Sequence, residues 1–241
     1  MKILNCILFT ISLFAGCTKK PMDNSLTVAS AANTTVSASP DTVSYLALGD
    51  SYTIGESVSA AQSFPYQLVN QLHNYGYPKA QPPVIIARTG WTTDELITAI
   101  QNAGINQKFS VVTLLIGVNN QYRGYSQATY RTEFIELLNT AIRYAGGNIK
   151  RVFVVSIPDW GVTPYANGRD RNAIAKQLDQ FNAVNKAETE KAGVTYVDIT
   201  TISKQAATDA SLTAADGLHP SEKMYTLWVQ QLLNPVIKSL K

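Results

Sequence analysis

Five short runs rich in β-branched and apolar residues recur along the chain, and helical patterns fill the intervals between them. The runs are Ser44 to Leu48, Val84 to Ala87, Val111 to Ile116, Arg151 to Ile157 and Val194 to Ile199. Each has the length and bounding residues of a buried strand. Between them, Phe64, Leu68, Leu72 and Tyr75, then Leu96, Ile97 and Ile100, then Tyr130, Phe134, Leu138 and Ile142, then Ile174, Leu178 and Phe181 form apolar stripes at helical spacing. Thr92 with Glu95 predicts a capped start for the second helix, and Gly146-Gly147 a stop for the third. A last helix is expected from about Pro220 through Met224, Trp228 and Leu232, kinked or ended early by Pro235. Strands separated by whole helices must run parallel, with the crossovers covering both faces of the sheet. The expectation is a three-layer α/β/α sandwich around a five-stranded parallel sheet, whose ligand site lies beyond the carboxyl ends of the strands.

Several function classes drop out on composition and motif. The 241 residues carry 20 Lys and Arg against 17 Asp and Glu, with signs mixed along the chain. No basic cluster exceeds Lys19-Lys20, so nucleic acid is not an expected partner. No loop carries a dinucleotide fingerprint or a phosphate-binding Walker sequence, and no internal repeat is present.

The amino-terminal segment has its own logic. Met1-Lys2 precedes a mostly apolar stretch from Ile3 to Gly16, 14 residues, short of the roughly 20 needed to span a bilayer. It reads as a signal peptide over residues 1–16. The segment ends in Leu13-Phe14-Ala15-Gly16-Cys17, which resembles the bacterial lipobox, with Phe14 at a position where Leu is usual. On that reading Cys17 is lipidated and holds the protein to a membrane without a spanning helix; the alternative is an ordinary secretory signal with an incidental Cys. Cys6 leaves with the leader, so no internal disulfide is expected. Residues 17–41 add a tether rich in Ser, Thr, Ala and Asn, about 25–30 Å end to end. The folded body is expected over 42–241, a monomer in the bacterial cell envelope, anchored on the periplasmic or outer surface.

Chemistry gathers at four strand ends. The first strand runs into Gly49-Asp50-Ser51-Tyr52-Thr53, which sets a serine where the backbone leaves the sheet. Thr53 in place of a second Gly disfavours the α/β-hydrolase nucleophile elbow. Asp216-Gly217-Leu218-His219-Pro220 places a carboxylate three residues before one of only two histidines. A serine needs a base, and the imidazole needs an acceptor to fix its tautomer; His219 and Asp216 supply both. His73, on a polar helix face without an acidic neighbour, is read as a solvated residue. Gly90, opening the capped helix, and Asn119 in Gly117-Val118-Asn119-Asn120 are candidate oxyanion donors, or simple turn residues.

In this order, Ser after strand one, Gly after strand two, Asn after strand three and Asp-x-x-His before the last helix, the chain resembles the SGNH subgroup of the GDSL hydrolases from about Tyr45 to Trp228. The resemblance implies a flavodoxin-like SGNH hydrolase fold, Ser51 as nucleophile, His219 as base then acid, and Asp216 orienting His219. It also implies an oxyanion hole of the Ser51 and Gly90 N–H groups and the Asn119 side chain, with no metal and no cofactor. Two residues depart from the family pattern: Asn120 stands where Asp is usual, and Tyr52 where Leu is. Asn120 removes a charge beside a donor. The expected activity is hydrolysis of carboxylic esters, acyl or acetyl esters of glycans or lipids, through an acyl-enzyme. The competing class is a non-catalytic surface lipoprotein that binds a glycan or protein through the same rim. Trp91, Tyr122 and Trp160, with Tyr125 and Tyr165, fall after strands two to four and are candidate substrate-rim residues. Arg123, Arg169 and Arg171 are candidates for meeting an anionic group. The segment from Asp159 to Asp170 is long enough to act as a lid.

Overall fold

The computed structural model describes residues 42–241. The leader, Cys17 and the tether lie outside the described residues. Five strands form one parallel sheet: β1 Tyr45–Asp50, β2 Val84–Arg88, β3 Val111–Leu115, β4 Val152–Val155 and β5 Thr195–Val197, in the order β2-β1-β3-β4-β5. That order is the flavodoxin-like one, and it reverses direction of growth between β1 and β3. A crevice therefore opens outside the carboxyl ends of those two strands. β3, β4 and β5 are shorter than the apolar runs that announce them, whereas β1 and β2 extend past the ends of theirs to Asp50 and Arg88. Ile149–Arg151 form a 3₁₀ turn ahead of β4, and Ser156 continues beyond it through a bond from its N–H to Val197 O.

Among the described residues eight α-helices connect and cover the sheet: α1 Ser51–Ile54, α2 Phe64–Asn74, α3 Thr93–Ala103, α4 Val118–Tyr122, α5 Gln127–Tyr144, α6 Arg171–Lys191, α7 Thr200–Ser203 and α8 Glu222–Leu240. α2 packs on α8, while α3, α5 and α6 pack as a second group, giving the three layers. Between α2 and α8 the rings of Phe64, Tyr225 and Trp228 meet at centroid distances of 5.0–6.3 Å. Each is fully buried, which stabilises the fold by roughly 1.5–3 kcal/mol per side chain. On the other side Tyr130 stacks on Phe134 and Phe181.

Local signals behave as their chemistry requires, with two exceptions near the carboxyl end. The Thr92 and Glu95 capping box starts α3, and Gly146 and Gly147, both at positive φ, follow α5. The last helix, in contrast, starts at Glu222, capped by Ser221, whose hydroxyl accepts from Met224 N. Pro220 is not in its first turn; it sits before the cap in a β-bridge with Thr213. The Ser221 hydroxyl, not the fixed φ of proline, sets the start. α8 also runs through Pro235 to Leu240 rather than ending early. Burial of Leu232, Leu233, Val236 and Leu240 offsets the bond that proline cannot make. His73 is exposed at the end of α2, and its Nε2 lies 2.9 Å from Ala80 O.

At the point where β1 becomes α1, Gly49 has no room for a side chain. A Cβ there would lie 2.1 Å from Thr53 Oγ1 and 2.4 Å from Leu115 O. The absence of that carbon lets α1 fold back onto the sheet beside β3, which fixes where Ser51 emerges.

Candidate active site

Ser51 is the first residue of α1, buried to 5% exposure. Asp50 caps this helix by accepting from Tyr52 N at 3.0 Å. Burial pushes the Asp50 carboxyl up to about 7. Ser51 lines a cavity of about 140 Å³ together with Tyr52, Thr89, Gly90, Val118, Asn119, Tyr122, Trp160, Tyr165, Leu218 and His219. The cavity sits at the β1/β3 crevice. Seven of the candidate residues named from the sequence, Ser51, Gly90, Asn119, Tyr122, Trp160, Tyr165 and His219, thus converge there although they come from five separate strand ends and loops.

Asp216 and His219 occupy the turn before α8. His219 Nδ1 lies 2.5 Å from Asp216 Oδ2. Leu218 N and His219 N donate to Asp216 Oδ1 at 2.9 and 3.0 Å, so the turn itself holds the carboxylate. Ser57 Oγ donates to Asp216 Oδ2 at 2.6 Å. Burial pushes the Asp216 carboxyl up, but these hydrogen bonds from Ser57, His219 and the backbone outweigh it and hold the group well below the usual carboxylate range. His219 is buried, with the Tyr52 ring edge-on to it at 5.6 Å. Tyr52 in turn packs on Trp228 and accepts at its carbonyl from Tyr225 OH. The tyrosine at the leucine position thereby forms the floor beneath the imidazole. No direct hydrogen bond joins Ser51 Oγ to His219 among the described residues; contacts of this kind are often loose without substrate.

The amide donors are braced from behind. Asn119 Nδ2 donates to Trp91 O at 2.9 Å, which fixes the side-chain amide and leaves its second N–H available. Gly90 has φ +85, a left-handed conformation natural to glycine. Arg123 Nη2 donates to Gly90 O at 2.6 Å, and Arg123 also pairs with Glu95 at 3.3 Å. Asn120 is buried; its Oδ1 accepts from Thr93 N at 3.1 Å and its Nδ2 donates to Thr93 Oγ1 at 2.7 Å. An amide suits this position because it can both accept and donate, clamping the start of α3 to α4. The missing charge costs the site no support.

The rim differs from the sequence expectation in its members. Tyr122 and Trp160 line the cavity, joined by Tyr165, but Trp91 does not. Its ring packs partly buried against the core, and its contribution to the site is its backbone carbonyl. Tyr125 also stays out of the lining. Trp160 forms a buried wall with Nε1 donating to Gln121, while Tyr122 and Tyr165 are exposed. Arg169 lies 5.1–5.4 Å from the ring centroids of Tyr122, Trp160 and Tyr165, a cation held against three aromatic faces. Arg171 is occupied with Gly161 O, Thr163 O and Asn167. The 159–170 segment is pinned: Asp159 N donates to Ser203 Oγ at 2.9 Å and Tyr165 N to Gly217 O at 2.8 Å. Among the described residues no cluster of His, Cys, Asp or Glu is placed to hold a metal ion, and no helix is long and apolar enough to cross a membrane.

A flavodoxin-like sheet with a capped serine, a carboxylate–imidazole pair and braced amides at its switch point has the architecture of an α/β ester hydrolase. The model of the GDSL-like lipase/acylhydrolase family matches residues 47–227, and the chain belongs to that family; it is an ester hydrolase. No curated protein matches the chain in sequence. Among solved structures, the lipase/acylhydrolase from Enterococcus faecalis is similar at TM-score 0.65 and 18% identity, covering 83% of this chain and 97% of that one. Axe2, an acetylxylan esterase from Geobacillus stearothermophilus, is similar at TM-score 0.64 and 19% identity, with 80% and 94% covered. The esterase EstA from Pseudoalteromonas sp. gives TM-score 0.62 at 14% identity, with 82% and 97% covered. These likenesses speak to the fold.

Proposed function

We propose that the protein hydrolyses short-chain carboxylic esters through a Ser51–His219–Asp216 triad. The observation that carries this reading is the 2.5 Å contact between Asp216 Oδ2 and His219 Nδ1, with His219 and Ser51 lining one cavity. With Nδ1 donating to the carboxylate, Nε2 is left to accept the Ser51 Oγ proton. Oγ attacks the ester carbonyl, and the developing oxyanion takes hydrogen bonds from the Ser51 and Gly90 N–H groups and from Asn119 Nδ2. The imidazolium returns its proton to the departing alcohol. Water then gives a proton to His219 and attacks the acyl-enzyme, and the imidazolium passes that proton to the departing Ser51 Oγ as the acid is released.

The volume of the cavity supports a short acyl group. A cavity of about 140 Å³ is close to the ~150 Å³ that accommodates benzene, six heavy atoms. The mostly aromatic and aliphatic lining therefore suits acetyl to about butyryl groups, while the alcohol portion extends over exposed Tyr122 and Tyr165. A fluorophosphonate probe is expected to label the full chain, and kcat/KM on a p-nitrophenyl series is expected to peak at short acyl groups and fall steeply toward palmitoyl. Absence of labelling in folded protein sinks the serine mechanism. A palmitoyl optimum sinks the short-acyl assignment alone.

We also propose that Cys17 carries the lipid and tethers the enzyme to the cell envelope. The support is the sequence Leu13-Phe14-Ala15-Gly16-Cys17 after a short apolar stretch. Cys17→Ser is expected to move the protein from the membrane fraction to the soluble one; retention of the variant in membranes contradicts the anchor.

A further inference from the structure

The loop that follows the nucleophile meets α1, the loop after β2, the turn of Asp216 and the start of α8. Gly55 N and Glu56 N both donate to Ser51 O at 3.1 Å. The Glu56 carboxylate accepts from the hydroxyl of Thr89, the neighbour of Gly90. Gln62 Nε2 donates to Glu222 Oε2 at 2.7 Å, reaching the first turn of α8. At its centre stands Ser57, with φ +66, the only non-glycine residue at positive φ among the described residues. L side chains rarely adopt this conformation, and it persists only where the surroundings impose it. What the conformation achieves here is visible in the Ser57 Oγ contact, 2.6 Å to Asp216 Oδ2, on the same oxygen that faces His219 Nδ1.

We infer that Ser57 is a positioning residue of the esterase, a fixed donor that orients Asp216 and, through it, His219. The inference rests on the triad reading. Without Ser57, Oδ2 has one directed partner instead of two, and the carboxylate, still held at Oδ1 by the turn, gains freedom about its Cβ–Cγ bond as water exchanges at Oδ2. The imidazole then spends less time in the geometry that accepts the Ser51 proton. Ser57 touches neither substrate nor the reacting atoms, so substrate binding is not affected.

Two variants separate this role from plain loop stability. Ser57→Ala removes the hydroxyl and keeps the unfavourable backbone, whereas Ser57→Gly removes the hydroxyl and relieves it. Both are expected to lower kcat about tenfold with KM unchanged, although Ser57→Gly has a Tm at or above that of the parent. The downfield NMR resonance of the His219 Nδ1 proton is expected to move in both. A kcat within twofold of the parent in Ser57→Gly overturns the inference, and so does an unmoved resonance. The resonance is read without turnover, and fluorophosphonate labelling of the parent reads Ser51 separately. Failure of the Ser57 role is thereby distinguishable from failure of the triad.

Discussion

Ser51→Ala is expected to remove esterase turnover by a factor on the order of 10⁶ and to abolish fluorophosphonate labelling, while leaving the fold intact. The size of the loss follows from the attacking atom being absent: what remains is catalysis by bound water in front of the oxyanion donors. The fold should survive because Ser51 contributes to α1 through its backbone, its carbonyl accepting from Gly55 N and Glu56 N, and alanine keeps that carbonyl and favours helix. Circular dichroism and thermal melting of the variant beside the parent check the second half of the expectation. Turnover above about one per cent of the parent in a folded Ser51→Ala sample contradicts the nucleophile assignment. Unchanged ligand binding with no turnover in either protein would instead point to a surface that recognises esters without cleaving them.

Asp216→Asn is expected to reduce kcat by about 10⁴-fold at nearly constant stability. The reason lies in the four donors around the carboxylate. Two are backbone N–H groups of Leu218 and His219, aimed at Oδ1, and they cannot change role. The asparagine oxygen must therefore take that side, which turns its NH₂ toward Ser57 Oγ and His219 Nδ1. Ser57 can rotate its hydroxyl and accept. His219 can accept only by surrendering the Nδ1 proton, which moves to Nε2, and a protonated Nε2 has no lone pair for the Ser51 proton. The loss is thus a tautomer fault and not a fault of position. NMR of the His219 ring nitrogens checks it: the parent should carry its proton on Nδ1 and the variant on Nε2. An active variant, or an unchanged tautomer, contradicts the orienting role of Asp216.

The residues that the sequence made legible share one property: their chemistry is announced locally. Ser51, Gly90 and Asn119 each follow a strand within a few positions, and Asp216 and His219 lie on a single turn; strand ends and spacing marked them as candidates, and the resemblance to the family's order gathered them into one set. Ser57 had no such signal. It meets Asp216 across 159 positions of chain, and a serine in a loop looks like any other turn residue until its φ and its partner are seen. Trp91 shows the opposite failure. Its place after β2 put it at the rim, but position in a loop does not say which way a ring turns, and burial against the core took it out of the cavity. Arg123 falls in the same class: a charge near the site that serves Gly90 O and Glu95 instead of facing substrate. The strand order was implied only by resemblance, since alternation of strands and helices fixes that the sheet is parallel but not which strand lies beside which. Pro235 misleads for an energetic reason, because one lost backbone bond is small beside the apolar surface that the last turns of α8 bury.

On the triad reading, the serine stands at the start of the folded body and its acid–base pair near the end, in the turn that leads into α8, which packs on α2. During synthesis the nucleophile leaves the ribosome long before the turn that activates it. By the same reading, a chain still being synthesised, or one clipped ahead of Asp216, carries the serine in an inert form. On that reading ester cleavage begins only once the turn before the final helix is in place, so the unfinished chain is silent.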